Sequence, residues 1–296
     1  MEGADVDLEY LTYLLRLATA EPRPERGVVD AIRAELTVDL ERQAESPGDR
    51  LLFDLRRAAA PELTPLAGSP GSLRLLDEAR LRAVWRRSHQ SASMSLVAVT
   101  AASPPALLAM LEAIGLPADQ MADSLATPDP QETGASPLLL RSWYGEALVD
   151  HALADPHAAV AAYLISQNIA RSGTGMEVGV RLWQLRDRTL IVVAGAARSR
   201  RAAASIREAV QAALGDAVSS LDACVIEDAV DRVGREYRTR ARSPGGLVEQ
   251  VGRMADSTGG ASDALQYLAG LARVTAASLS EYLDGLGPPF VVELLP

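Results

Sequence analysis

Three histidines and one cysteine are the only imidazole and thiol groups in this 296-residue chain. His89, His151 and His157 are too few for a histidine-rich metal centre. The one close pair, His151 and His157, is neither i,i+3 nor i,i+4 on a helix, and Asp155-Pro156 would interrupt a helix there in any case. These residues read as surface or capping histidines. Cys224, in LDACVIEDAV, has no partner for an internal disulfide and no neighbouring cation in the sequence to hold a thiolate, so it reads as a buried helix position in a reducing compartment. Asp150-His151 with a distant serine would be material for a hydrolytic triad. There is no GxSxG elbow to expose that serine, because Gly68-Ser69 and Gly71-Ser72 fall in a Pro-rich turn.

The charge balance narrows the field further. All 29 cations are arginine, against 39 carboxylates, for a formal charge of −10. Without lysine, Schiff-base chemistry, a Walker phosphate loop and a lysine-activated serine are all excluded. An acidic chain is also a poor nucleic-acid binder, since that affinity comes largely from neutralising phosphates. The start, MEGADVDLEYL, has no basic segment leading into an apolar core, and no apolar run approaches a membrane span. The expected setting is the cytoplasm, with neither nucleic acid nor membrane as partner. Heavy use of Ala, Arg, Leu and Gly matches coding by a GC-rich bacterial genome.

The elements that must position any site follow from periodicity. Leu8, Leu11, Leu15 and Ala18 form one helical stripe ending at Pro22 and Pro24. A second helix runs from about Glu25 to Glu45, with Val28, Val29, Ile32, Leu36 and Leu40 on a face that should pack as core. Leu51, Leu52 and Leu55 mark a short helix before the loop 61–71, and another helix spans about Asp77 to Ser88, with Leu81, Val84 and Trp85 inward. MSLVAVT, 94–100, reads as a strand, and Pro104 opens a helix through Ile114. From 117 to 137 the chain turns to Pro, Asp, Thr, Gly and Ser, as an interdomain linker does. Beyond it, 138–143 and 147–154 read as strands, and Pro156 starts a helix to about Ile169. The turn at 172–175 leads into a helix ending near Arg186, TLIVVAGA (189–196) is a strand, and 198–214 is a helix. Helical segments follow at about 221–242, 247–255 and 261–271. Thr275 caps a closing helix before the strand 290–295. Strands and helices interleave without regular βαβ alternation, so the expectation is α+β: two domains, each a mostly antiparallel sheet with helices packed on one face.

Several of these segments share wording with one family. ERGVVDAIRAE (25–35) resembles the helix that carries the third zinc ligand in pitrilysin/insulinase-type metallopeptidases, including the mitochondrial processing peptidases. LLFDL (51–55), Gly68-Ser69-Pro70, the helix with Ser93-Met94 before LVAV, LWQLRDR (182–188) and VTAASLSEYL (274–283) follow that family's order. In the family a Glu-Arg pair precedes the ligating Glu by seven residues, counted from the first Glu, and from Glu25 that position is Ile32. An aliphatic side chain has no lone pair for a metal. Glu35 lies one turn further on, but a single carboxylate cannot hold catalytic zinc without two histidines. The remaining ligands and the base normally sit in HxxEH, which is absent here.

The resemblance therefore implies a first domain present only as its second half (1–116), the linker 117–137, and a C-terminal peptidase-like domain (138–296), with no catalytic residue and no metal site. It implies zinc only in a partner subunit. The substrate's backbone is held in the family by an Arg and a Tyr; Arg186 fits the Arg, while the Tyr position falls at or beside Val192. The implied function is a non-catalytic subunit of a heterodimeric zinc peptidase, walling the substrate chamber of a zinc-bearing HxxEH homologue that processes peptides. The alternative is a peptide-binding or scaffold protein of the same fold without proteolysis, possibly a homodimer.

Overall fold

A computed structural model of the chain describes residues 8–23, 25–62, 68–89, 96–114, 141–152, 155–171, 177–185, 188–197, 200–219, 222–258 and 261–295. The segment 117–137 lies outside them. The chain divides into two compact units that are each discontinuous in sequence: Met1–Leu40, Leu66–Glu132 and Ala241–Gly252 in the first, Glu41–Pro65, Thr133–Arg240 and Arg253–Pro296 in the second.

Short polar residues start the helices where the sequence places them. α1 (Leu8–Thr19) and α2 (Arg26–Glu45) are followed by α3 (Pro47–Ala59), whose N-cap Ser46 accepts from the Asp49 backbone N–H at 3.4 Å. Ser69 and Ser72 form a capping box on the short α4 (Pro70–Arg74), and Gly68 enters it at φ 74°, a left-handed turn that suits glycine. Asp77 caps α5 (Glu78–Ser88), accepting from the Arg80 N–H at 2.8 Å, and α6 (Pro104–Ile114) opens on proline.

The first unit is thinly packed. Val29 and Leu73 are the only buried apolar residues among its described positions, while Tyr10, Tyr13, Leu17, Val28 and Ile32 are all about half exposed or more. Ile32, expected in a core, is 49% exposed. The helical periodicity is correct, but the face is covered unevenly: Val29 is buried and Leu36 and Leu40 are half-buried, while Val28 and Ile32 stay exposed among the described residues. Residues 96–100, expected as part of a strand, carry no strand assignment, and 94–95 lie outside the described residues.

The second unit holds the sheet. β1 (Ser142–Asp150), a single strand where two were expected, leads into α7 (Pro156–Arg171). β2 (Glu177–Gln184) and β3 (Thr189–Ala197) form a hairpin closed by Leu185 N–H donating to Arg188 O at 2.8 Å. The helix expected up to Arg186 is thus a strand. Alternating Val178 and Val180 against Gly179 and Arg181 is a period-two pattern, which overrides the helical wording of the segment. Then come α8 (Arg200–Ser219) and α9 (Ala223–Arg240), α10 (Pro244–Thr258), most of which is assigned to the first unit, and α11 (Ala261–Leu271), α12 (Ala276–Gly285) and β4 (Phe290–Leu294). Strand order is β2-β3-β1-β4, every pairing antiparallel.

Alternation along β1 sorts its two faces. Tyr144 and Leu148 join Ile191, Val193 and Ala197 of β3 beneath α7, α8, α9, α11 and α12, around Ile165, Ile206, Val210 and Leu279. Each buried Leu, Ile or Val among them contributes roughly 1.5–3 kcal/mol. On the opposite face Ala147, Leu190 and Val192 pack against Leu51, Leu55 and Ala59 of α3. α3 lies close because Gly145 has no side chain: a Cβ there would stand 2.5 Å from Leu55 Cδ1.

Candidate functional site

Beside α3, on this second face, the sheet opens into a cleft of roughly 500 Å³. Its floor is Trp143, Val192 and Ala194, its wall Ser46, Gly48, Asp49, Leu51 and Leu52 at the start of α3, and its far side Gly179 and Arg181 of β2. Gly48 lets the helix approach the indole, since a Cβ would lie 3.1 Å from Trp143 Cζ3. Arg181 is exposed and has no hydrogen-bond or ion-pair partner among the described residues. β2 is an edge strand: among the described residues its outer row of N–H and C=O groups pairs with no other strand.

This lining contains no nucleophile with a base beside it. What it offers among the described residues is an unpaired strand edge, an aromatic floor and one cation, groups of the kind that can hold an extended peptide. Among the described residues no group of three or more His, Cys, Asp or Glu side chains is placed to hold a metal ion.

The residues expected from sequence do not converge on this cleft, apart from one. Val192, at the expected Tyr position, is 1% exposed and forms part of its floor. Arg186 lies outside the described residues, and Ile32 belongs to the first unit. Arg181 lay in a segment expected as a helix, and Trp143 ended an expected strand with nothing in the sequence to show which element its face meets. The signal was present for Arg181, in the alternation of 178–183. Cys224 is exposed rather than buried, and its thiol pKa is raised by a hydrogen bond to Asp222 and by that carboxylate's charge, so it is a poor nucleophile.

A second polar cluster lies on the helical side of β1. Glu146 is 1% exposed, accepts from the Tyr144 hydroxyl through Oε1, and leaves Oε2 without a partner among the described residues. Burial pushes its pKa above 4.5, with the Arg207 guanidinium opposing. Arg207 pairs with Glu293 of β4 and sits 5.6 Å from the Tyr144 ring centroid. A carboxyl whose pKa is raised in the fold destabilises it as pH rises, because the unfolded chain releases the proton first. Glu146→Gln keeps the acceptor for Tyr144 and carries no charge. Denaturant titrations at pH 5 and pH 8 are therefore expected to show the variant gaining stability relative to wild type at the higher pH. An unchanged difference would mean that Glu146 is ionised at both.

No family model matches the chain, and no curated protein matches it. Solved structures do. A protease from Helicobacter pylori superposes with a TM-score of 0.80 at 8% identity, over 99% of this chain and 78% of that one. An inactive domain of peptidase family M16 from Pseudomonas fluorescens gives 0.75 at 13% identity, over 99% and 76%. A chain of complex III2 from Candida albicans gives 0.72 at 10%, over 98% and 77%. At such identities the likeness is one of fold, and the fold is the pitrilysin-like one of M16-like peptidases, helices and antiparallel sheet as the sequence wording implied.

Proposed function

We propose that this chain is a non-catalytic, peptide-binding member of a two-subunit zinc peptidase, enclosing substrate for a homologue that carries HxxEH and the zinc. The observation that carries the reading is the open cleft beside a strand edge that is unpaired among the described residues, on a peptidase fold whose sequence lacks HxxEH and whose cleft lining holds no histidine. Enclosure of this kind acts by orienting the peptide and excluding water, and needs no proton transfer from this subunit. The half-exposed Tyr10, Tyr13, Leu17, Val28 and Ile32 of the first unit support a partner, because apolar side chains in that number are better covered than wet. The fold is shared with an inactive M16 domain, which supports a role without catalysis.

An extended acidic peptide would add to β2, with an apolar side chain on Trp143 and a carboxylate at Arg181. Arg181→Glu is expected to weaken binding of a fluorescein-labelled acidic decapeptide roughly fivefold by anisotropy, from about 1 kcal/mol for an exposed pair. Equal affinities in the two proteins would place the peptide elsewhere. The functional test is cleavage of that peptide by the chain alone and by its complex with an HxxEH homologue from the native host. The complex should cleave and the chain alone should not. A stable homodimer that binds peptide and takes no such partner would favour the scaffold alternative.

A further inference from the structure

The N-termini of α7 and α12 bring together three side chains outside the cleft, two of which also cap these helices: Asp155 at α7 and Ser278 in the capping box of α12. Asp155 caps α7: its Oδ1 accepts from the His157 backbone N–H at 2.8 Å and lies 2.6 Å from Nδ1 of the same residue's ring. His157 Nε2 is 3.0 Å from Ser278 Oγ, 121 residues away in sequence. The imidazole is held flat against Tyr282, with centroids 5.5 Å apart at 20°, and the Tyr282 hydroxyl donates to Asp150 Oδ2 at 2.9 Å.

Hydrogen-bond accounting sets the direction of this chain. An ionised Asp155 only accepts, so Nδ1 carries the ring proton and Nε2 is left as an acceptor. Ser278 Oγ then donates to Nε2, the nearer of its two acceptors, since Thr275 O is 3.2 Å away. The same oxygen accepts from the Thr275 N–H at 2.9 Å, at the positive end of α12. Carboxylate, imidazole and hydroxyl thus stand in the order that activates a serine, and such a constellation is recognised by geometry rather than by sequence order.

We infer that Ser278 is a nucleophile for small, unhindered esters, with His157 as its base and Asp155 as the positioning residue. Ser278 Oγ attacks the ester carbonyl carbon as its proton passes to His157 Nε2. The bond to the alcohol oxygen breaks, and that oxygen takes the proton from Nε2, leaving an acyl-Ser278. Water then attacks this ester, giving its proton to Nε2, and the acid departs as the proton returns to Ser278 Oγ. Of the first-turn N–H groups of α12, those of Ala276 and Ala277 have no intrahelical acceptor, and they are the donors nearest in sequence for the carbonyl oxygen. The site lies away from the cleft in sequence and lining, so it stands or falls independently of the peptide-binding reading.

The test uses the whole chain with a fluorophosphonate probe and with p-nitrophenyl acetate. A single adduct mapping to Ser278 by peptide mass analysis is expected, with hydrolysis of the acetate. His157→Gln should slow both by roughly 100-fold, the usual worth of a general base. Asp155→Asn, which retains an N-cap of equal quality, should slow them while leaving the melting temperature nearly unchanged. No adduct on Ser278 after prolonged exposure to excess probe, or an adduct formed equally fast in His157→Gln, would overturn the inference.

Discussion

Leu55→Ala is expected to cost about 3 kcal/mol of unfolding free energy, because the side chain is fully buried between α3 and the sheet and its removal leaves a cavity among Leu51, Ala59, Ala147 and Val192. Gly145→Ala should cost about 2 kcal/mol for the opposite reason. Its new methyl would stand 2.5 Å from Leu55 Cδ1 and 3.3 Å from Leu51 Cδ2, forcing α3 outward. Combined, the two changes should cost less than their sum, since the added methyl enters the space that Leu55 vacates, with a coupling of about 1–2 kcal/mol. A double-mutant cycle in denaturant measures this directly. Strict additivity would show that α3 does not lie on Gly145. Leu51 and Leu52 also line the cleft, so the displacement in Gly145→Ala should weaken peptide binding as well.

Tyr282→Phe is the second large effect, at roughly 2 kcal/mol, the usual worth of a hydrogen bond to a charged group. The hydroxyl donates at 2.9 Å to Asp150, which is 7% exposed and otherwise accepts from the Ala152 N–H at 2.8 Å. Removing the donor leaves a buried carboxylate short of a partner. Burial, followed by the Asp150 charge, pushes the Tyr282 phenol well above its ordinary 10.0. A raised phenol pKa means that its contribution is complete below pH 10 and declines above it, as the unfolded chain ionises first. Denaturation at pH 8 should therefore separate wild type from Tyr282→Phe fully, and the gap should narrow above pH 10. A constant gap at both values would mean that the phenol does not titrate differently in the two states.

Local signals made much of the fold legible. Caps at Asp77 and Thr275, the proline at 156 and the continuous apolar run of β3 all mark their elements, because each depends on neighbours in sequence. β3 is apolar throughout because it lies between two strands and is buried on both faces. β2 stands where the turn at 172–175 suggested a helix ending near Arg186, although the 178–183 alternation indicates a strand. Ile32 shows the limit of periodicity, which identifies an apolar face and not what covers it. α3 is amphipathic, yet nothing within its residues names the sheet of 142–197 as its partner. That choice depends on the missing side chain at Gly145, some ninety residues on.

Of the candidate sites, least was legible. Arg181 and Trp143 meet only when β1, β2 and β3 are in register, and His157 meets Ser278 only when α12 returns over α7. By contrast, the lack of HxxEH is plain in the chain itself, as is the aliphatic Ile32 where the resemblance expects a ligand, since both concern residue type rather than geometry.

The central claim, a peptidase frame that encloses peptide while a partner supplies the metal, is tested most directly by native mass spectrometry of the assembly from the host, paired with peptide cleavage by its separated subunits. The expected result is one copy of this chain with one HxxEH homologue, a single zinc that stays with the homologue on separation, and cleavage only by the intact pair. Stoichiometric zinc retained by this chain, or cleavage of the peptide by this chain alone and abolished by a chelator, would contradict the account.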